Sequence, residues 1–199
     1  MTFTRIRDIR RQELLEAAYE VLKRDGLHAT TIDKIALEAG AAKGIVHHYF
    51  PNKRELILAT LRYAHALRRN EMVRRLRLAK SPHARIAAII AVNLGETYLT
   101  HQYCRLWIAT AVEALNDSEF ARLQKIIRQR ERSTLSHALR QLVPKRETDE
   151  VLLAVRALIE ACRLWVGYID WYDSAHATAL AYALLKARIP GFPDQGSDR

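Results

Sequence analysis

The sequence is poor in the residues that punctuate a turn-rich fold: it holds seven glycines and five prolines in 199 residues. That scarcity argues against collagen, low-complexity linkers and strand-dense all-β domains. Two cysteines, Cys104 and Cys162, are too few for a disulfide scaffold and point to a reducing compartment. Apolar runs such as residues 86–92 fall far short of the roughly 18 residues of a membrane span. The first eleven residues contain no apolar signal core, so a cytoplasmic protein with no membrane partner is expected. No phosphate-binding loop, glycine-rich dinucleotide loop, nucleophile elbow or zinc-binding His-Glu motif is present. An enzyme is therefore not expected, nor is a cofactor. His47 and His48 are adjacent and diverge on a helix, while His101 and Cys104 have no further ligand close in sequence, so no metal site is expected either.

What the chain does have is positive charge, unevenly placed. Residues 1–85 carry 18 Lys and Arg against 9 Asp and Glu, whereas residues 86–199 carry 14 against 13. Nearly all of the net charge of +10 lies in the first part. A basic front end beside a neutral remainder suggests one part that meets a polyanion and another with a different task.

Apolar spacing is helical throughout and predicts an all-α fold of about nine helices. Leu14, Ala18, Val21 and Leu22 mark the first helix, with Gly26 as its stop. Thr31 is placed to cap a short second helix that ends at Gly40. A very short third helix spans residues 43–50, and Asn52 with Glu55 resembles a capping box opening a long fourth. The arginine-rich stretch 68–80 is expected to end that helix on solvent. Ser81-Pro82 opens a segment that reads as helical through residues 86–99 and 106–115. Asn116-Asp117-Ser118 breaks the pattern, and helices over 123–142, 151–168 and 175–189 follow. The polar tail after Pro190-Gly191 is expected to fray. The division is placed at residues 1–58 and 59–199.

Residues 31–50 read as a helix-turn-helix. Ala36, Ala39 and Gly40 are small where two helices would cross, and Gly40 can take the positive φ of the turn. Ile45, Val46 and Phe50 are expected to face the core. Lys43 with His47, and Gly44 with His48, then point outward. In such a unit the N-terminal residues of the second helix read base edges in the major groove. Lys43 can donate to guanine, and Gly44 lets the backbone come close. Tyr49 and Lys53 can reach phosphates, and Arg5, Arg7, Arg10 and Arg11 form a basic arm.

The run from Thr30 to Gly40, followed by Lys43-Gly44-Ile45-Val46-His47-His48-Tyr49-Phe50-Pro51-Asn52-Lys53, resembles the TetR family of transcriptional repressors. The resemblance covers about residues 10–58. It implies a homodimer that binds a palindromic operator in double-stranded DNA and releases it when a small molecule enters the C-terminal domain. Its DNA contacts fall on Arg5, Thr31, Lys43, Gly44, His47, His48, Tyr49 and Lys53. Ala42 departs from the family, which commonly has Ser or Thr there as cap and phosphate contact. Gly44-Ile45, His48-Tyr49-Phe50, Trp107-Ile108-Ala109, Leu123-Gln124 and Ala157-Leu158-Ile159-Glu160 are further similar to the choline-responsive repressors of glycine betaine synthesis. That group has more aromatics where this chain has Thr110 and Ala111, and its second tryptophan is out of phase with Trp165.

The C-terminal half is rich in aromatics, including Tyr98, Tyr103, Trp171 and Tyr172, with Glu96 and Asp170 among its acids. Aromatic faces beside a carboxylate suit a quaternary ammonium. A pocket for choline or another cation is expected at Trp107, Glu113, Glu160 and Trp165. Helices 151–168 and 175–189 carry Leu152, Val155, Leu158, Ile159, Leu164, Leu180, Leu184 and Leu185, more apolar surface than a monomer would expose, and are expected to pair with a second copy.

Overall fold

The computed structural model describes residues 2–169 and 172–195, with backbone alone for residues 2–5. Among them are nine helices and no strand: α1 (Thr2–Ala29), α2 (Ile32–Glu38), α3 (Lys43–Tyr49), α4 (Lys53–Leu78), α5 (Pro82–Leu94), α6 (His101–Glu113), α7 (Ser118–Leu139), α8 (Lys145–Tyr168) and α9 (Ser174–Arg188). Two compact units form. One comprises Met1–Leu67 with Ala109–Leu123, the other Arg68–Ile108 with Gln124–Arg199. Helices α4, α6 and α7 contribute residues to both.

Side chains set most of the helix starts. The Thr31 and Ser81 hydroxyls accept the N–H groups of Lys34 and Ala84, and Asn52 Oδ1 accepts that of Glu55. Gly26 interrupts α1 at φ +80°. Gly40 closes α2 at φ +57°, with Ala41 N–H bonded to Ala36 O and Gly40 N–H to Leu37 O. This paired bonding is the Schellman ending, for which a glycine in the left-handed region is suited.

The first unit packs Leu14, Ala18, Val21, Ile35, Val46, Phe50 and Leu56 into one cluster. The second buries Ile86, Ile90, Leu94, Cys104, Leu139, Val155, Ile159, Cys162 and Leu185.

Four expectations need correction. The helix over 86–99 ends at Leu94, because Gly95 leaves the helix in extended backbone (φ −76°, ψ 160°), a conformation in which a Cβ would lie 2.2 Å from Ala91 O. Helix α8 starts at Lys145, six residues before Val151, with Pro144 as its cap. Arg68 does not point to solvent: it is buried and donates to Asn93 Oδ1 at 2.8 Å and to Glu131. Among the apolar residues assigned to a pairing face, Leu152, Val155, Ile159 and Leu185 belong to the second unit's own core, while Leu164 and Leu180 are exposed together with Leu153, Trp165 and Tyr168. Asp170, Trp171 and the last four residues of the tail lie outside the described residues.

Candidate nucleic-acid interface and the interior of the second unit

Helix α3 is pinned by Val46 and Phe50, both buried, and by half-buried Tyr49 packed on the same cluster. That anchoring turns Lys43, Gly44, His47 and His48 outward, all exposed. Ile45 departs from expectation. It is 40% exposed, because a residue next to Val46 lies about 100° around the helix from the buried stripe. Its exposure adds an apolar side chain to the outward face that the sequence reading did not place there.

Gly44 has helical backbone, and a Cβ built on it meets nothing within 4 Å. Packing within the chain therefore does not call for glycine there. Ala42 precedes α3 in extended backbone and makes no side-chain cap. Lys43 Nζ pairs with Asp33 at 2.8 Å, both side chains largely exposed, so a phosphate or a base can compete for it. Lys53 Nζ donates to His28 O at 3.2 Å. Thr31 is exposed and caps α2. Arg11 lies over the Phe50 ring at 5.1 Å, and Arg10 pairs with Glu13 at 2.6 Å, so both belong to α1 packing as well as to its basic face. The side chain of Arg5 lies outside the described residues.

The same unit includes the turn between α6 and α7. Asp117 accepts two bonds from the Arg54 guanidinium, each 2.8 Å, and also the N–H groups of Glu119 and Phe120. The Arg54 bonds hold its carboxyl below the usual range. Arg62 pairs with Glu119 at 3.4 Å and His28 with Glu113 at 3.8 Å. These pairs join residues far apart in sequence, and no local pattern announces them.

Of the four residues expected to receive a small molecule, the second unit brings two to a common neighbour. Arg163 on α8 places its guanidinium 5.6 Å from the Trp107 ring centroid and 3.8 Å from Glu160. It also donates to Asn93 Oδ1 at 2.6 Å, the oxygen that accepts from Arg68. Glu113 instead belongs to the first unit, and Trp165, 40% exposed, packs edge-on to Tyr172. Arg163 was missed by the sequence reading. The available signal was an arginine beside the apolar stripe of α8, one turn after an acid. Burial raises the Glu160 carboxyl above its ordinary value, against the opposing pull of Arg163.

Cys104 and Cys162 are buried and free. Burial pushes the Cys104 thiol up to about 12, which makes it a poor nucleophile. Among the described residues no three His, Cys, Asp or Glu side chains gather as a metal site, and no helix is long and apolar enough to cross a membrane.

Comparison with known proteins places this architecture. Residues 14–60 match the family described as bacterial regulatory proteins, tetR family, and residues 82–189 match the BetI-type transcriptional repressor C-terminal family. An HTH-type transcriptional regulator BetI of Brucella melitensis is 34% identical over 190 residues, covering 93% of this chain and 94% of the relative. A transcriptional regulator from Saccharomonospora viridis, solved in complex with choline, superposes with TM-score 0.83 at 20% identity over 90% of this chain and 96% of its own. The regulator FadR of Bacillus subtilis, solved with stearoyl-CoA, gives 0.70 at 20% identity over 90% and 98%. These two likenesses establish the fold. The relatives are DNA-binding regulators rather than enzymes, and this chain belongs to the TetR family of bacterial transcriptional regulators, with a C-terminal region of the BetI type.

Proposed function

We propose that this chain represses transcription in the cytoplasm as a homodimer that inserts two copies of α3 into a palindromic operator and lets go when a small molecule enters its second unit. The observation that carries this reading is the outward face of α3. It presents Lys43, Gly44, Ile45, His47 and His48 on a helix whose other side is buried, with a glycine where no neighbour in the chain demands one. Lys43 reads a guanine, Ile45 a thymine methyl, and Gly44 allows close approach. Thr31, Tyr49, Lys53 and Arg5 contact phosphates and fix the register. Two such helices about 34–36 Å apart reach successive major grooves.

Release runs along covalent paths. Helix α4 begins beside α3 at Lys53 and continues to Arg68, which the second unit holds through Asn93 and Glu131. The α6–α7 turn is clamped to α4 by the Arg54–Asp117 bonds. A ligand that resets α6 or the Arg68 anchor biases the recognition helices, and a coupling of about 1–3 kcal/mol weakens DNA binding roughly 5–150-fold.

Two readings of the effector differ. The BetI-type C-terminal match and the choline-bound neighbour support control of choline-to-glycine-betaine genes, with choline or another cation as signal. The other is a regulator of efflux or catabolic genes that answers another lipophilic or cationic small molecule. The guanidinium of Arg163 against Trp107 and Glu160 favours a lipophilic signal of this second kind, since a cation already lies against that ring and carboxylate.

Fluorescence anisotropy with fragments of the promoter upstream of the chain's own gene tests the DNA reading. A two-protomer complex on one palindrome, weakening steeply with salt, is expected. Failure to bind any palindromic fragment at low salt overturns it.

A further inference from the structure

We propose that Arg163 is a resident cation, filling the position between Trp107, Glu131 and Glu160 that a quaternary ammonium would take, so that the second unit is closed to small quaternary ammonium ions until this side chain is removed. The proposal rests on reading the second unit as the effector-binding part.

Arg163 is 2% exposed, the largest of the fully buried side chains. Around its guanidinium stand an aromatic face at 5.6 Å, the Glu160 carboxylate at 3.8 Å, the Glu131 carboxylate at 3.9 Å and the Asn93 oxygen at 2.6 Å. An aromatic face with carboxylates is the host chemistry for a quaternary ammonium. Arg68, bonded to the same Asn93 oxygen and to Glu131, completes a cluster of two guanidiniums and two carboxylates. Arg128 and Arg156 also act on Glu160, so the two carboxylates already face more than one positive charge each. A second cation would bring uncompensated charge into the interior, which is costly. With Arg163 replaced by a neutral residue, Glu160 and Glu131 lose the guanidinium that lies 3.8 and 3.9 Å from them, beside the Trp107 ring.

Hydrogen bonding agrees with this assignment. Arg163 Nε and Glu160 Oε2 are buried with no partner among the described residues. The guanidinium is thus held by charge, stacking and part of its hydrogen-bonding capacity. A tetraalkylammonium has no N–H to satisfy and asks for charge and an aromatic face alone.

The test uses the full chain without DNA. Tetramethylammonium and choline chlorides are titrated into the wild type and Arg163→Met, followed by calorimetry and tryptophan fluorescence, with sodium chloride as the ionic-strength control. The wild type should give no saturable signal. Arg163→Met should bind at least about tenfold more tightly than the wild type, and a further Trp107→Leu change should abolish that binding. Saturable wild-type binding within about tenfold of the variant's overturns the proposal, and so does a folded Arg163→Met that binds neither ion. If Arg163→Met is too unstable to titrate, its melting temperature decides. A rise with tetramethylammonium beyond that with sodium supports the proposal, and no such rise overturns it. The operator reading stands or falls separately, since no DNA enters the experiment.

Discussion

Gly44 is the second residue of a seven-residue helix, where glycine is disfavoured relative to alanine by at most about 1 kcal/mol, the cost in a helix interior. Among the described residues, apart from its own helix backbone and chain neighbours, nothing lies within 4 Å of the Cβ that alanine would add. Gly44→Ala should therefore raise the melting temperature while weakening operator binding, because the added methyl occupies the space left for DNA. Thermal melts and anisotropy on one preparation check both halves, and a stabilised variant with unchanged affinity removes this reason for the glycine. The two lysines separate in another way. Lys43→Ala should relax base preference at one position per half-site, a loss of about 1–3 kcal/mol of discrimination. Lys53→Ala should weaken all sequences alike and lower the salt slope by about one per half-site. Binding to a panel of single-base operator variants at several salt concentrations reads both. Glu160 behaves oppositely to an ordinary surface carboxylate. Its folded form holds the proton more tightly than the unfolded chain, owing first to burial and then, against the pull of Arg163, Arg128 and Arg156, to Glu131. Native protein then binds more protons than unfolded protein, so stability declines as pH rises from the ordinary carboxylate value through the raised one. Glu160→Gln cannot ionise and should flatten that decline, gaining on the wild type toward neutral pH. Urea midpoints measured across pH 4–8 test it, and parallel profiles would contradict the assignment. The outward placing of Lys43, Gly44, His47 and His48 was legible because it follows from helical spacing relative to Val46 and Phe50, whereas Ile45 was misplaced because its apolar type suggested burial. Arg163 was not legible, because its Asn93 partner is 70 residues away and sequence spacing carries no such distance.

Helix ends divide the same way. Thr31, Asn52 and Ser81 act on the backbone three residues ahead, so their capping was readable from type and position. The start of α8 was not, because Pro144 gives no side-chain cap and the acidic and basic residues after it hide the apolar stripe until Val151. The end of α5 was masked by apolar residues on both sides of Gly95. Ala42 is a cap position left unused. It precedes α3 with φ −70° and ψ 145°, the extended backbone an N-cap adopts, and has no side-chain oxygen. Ala42→Ser should supply the missing bond to a free N–H of α3 and stabilise the first unit by about 0.5–2 kcal/mol. Thermal melting should move up by about 2–4 °C per kcal/mol for a protein of this size. DNA affinity should rise as well, because the hydroxyl adds a phosphate donor. A melting temperature that stays put or falls would mean that water already satisfies this helix end without loss.

At the scale of the molecule, charge separates two tasks: 18 basic against 9 acidic residues up to residue 85, and 14 against 13 beyond it. The near-neutral part leaves Leu153, Leu164, Trp165 and Tyr168 of α8 and Leu180 of α9 exposed, with Leu153 69% and Tyr168 59% accessible. Leu153, Leu164 and Tyr168 recur at helical spacing, and in the proposed homodimer this stripe of large apolar side chains is the surface expected to pair. Leu153 is the sharpest probe, because a residue so exposed contributes little to its own unit. Leu153→Glu should keep its helical content and thermal melting close to wild type. Its mass by light scattering should fall from two chains to one, since a carboxylate at each copy repels its symmetry mate and loses hydration on pairing. A monomer contacts one half-site at a time and forfeits the effective concentration that the first contact gives the second. Affinity for the full palindrome should then drop by at least about 100-fold, while affinity for an isolated half-site stays as it was. A variant that remains dimeric would move the pairing surface away from this stripe. One that turns monomeric yet binds the palindrome undiminished would show that a single recognition helix carries the affinity.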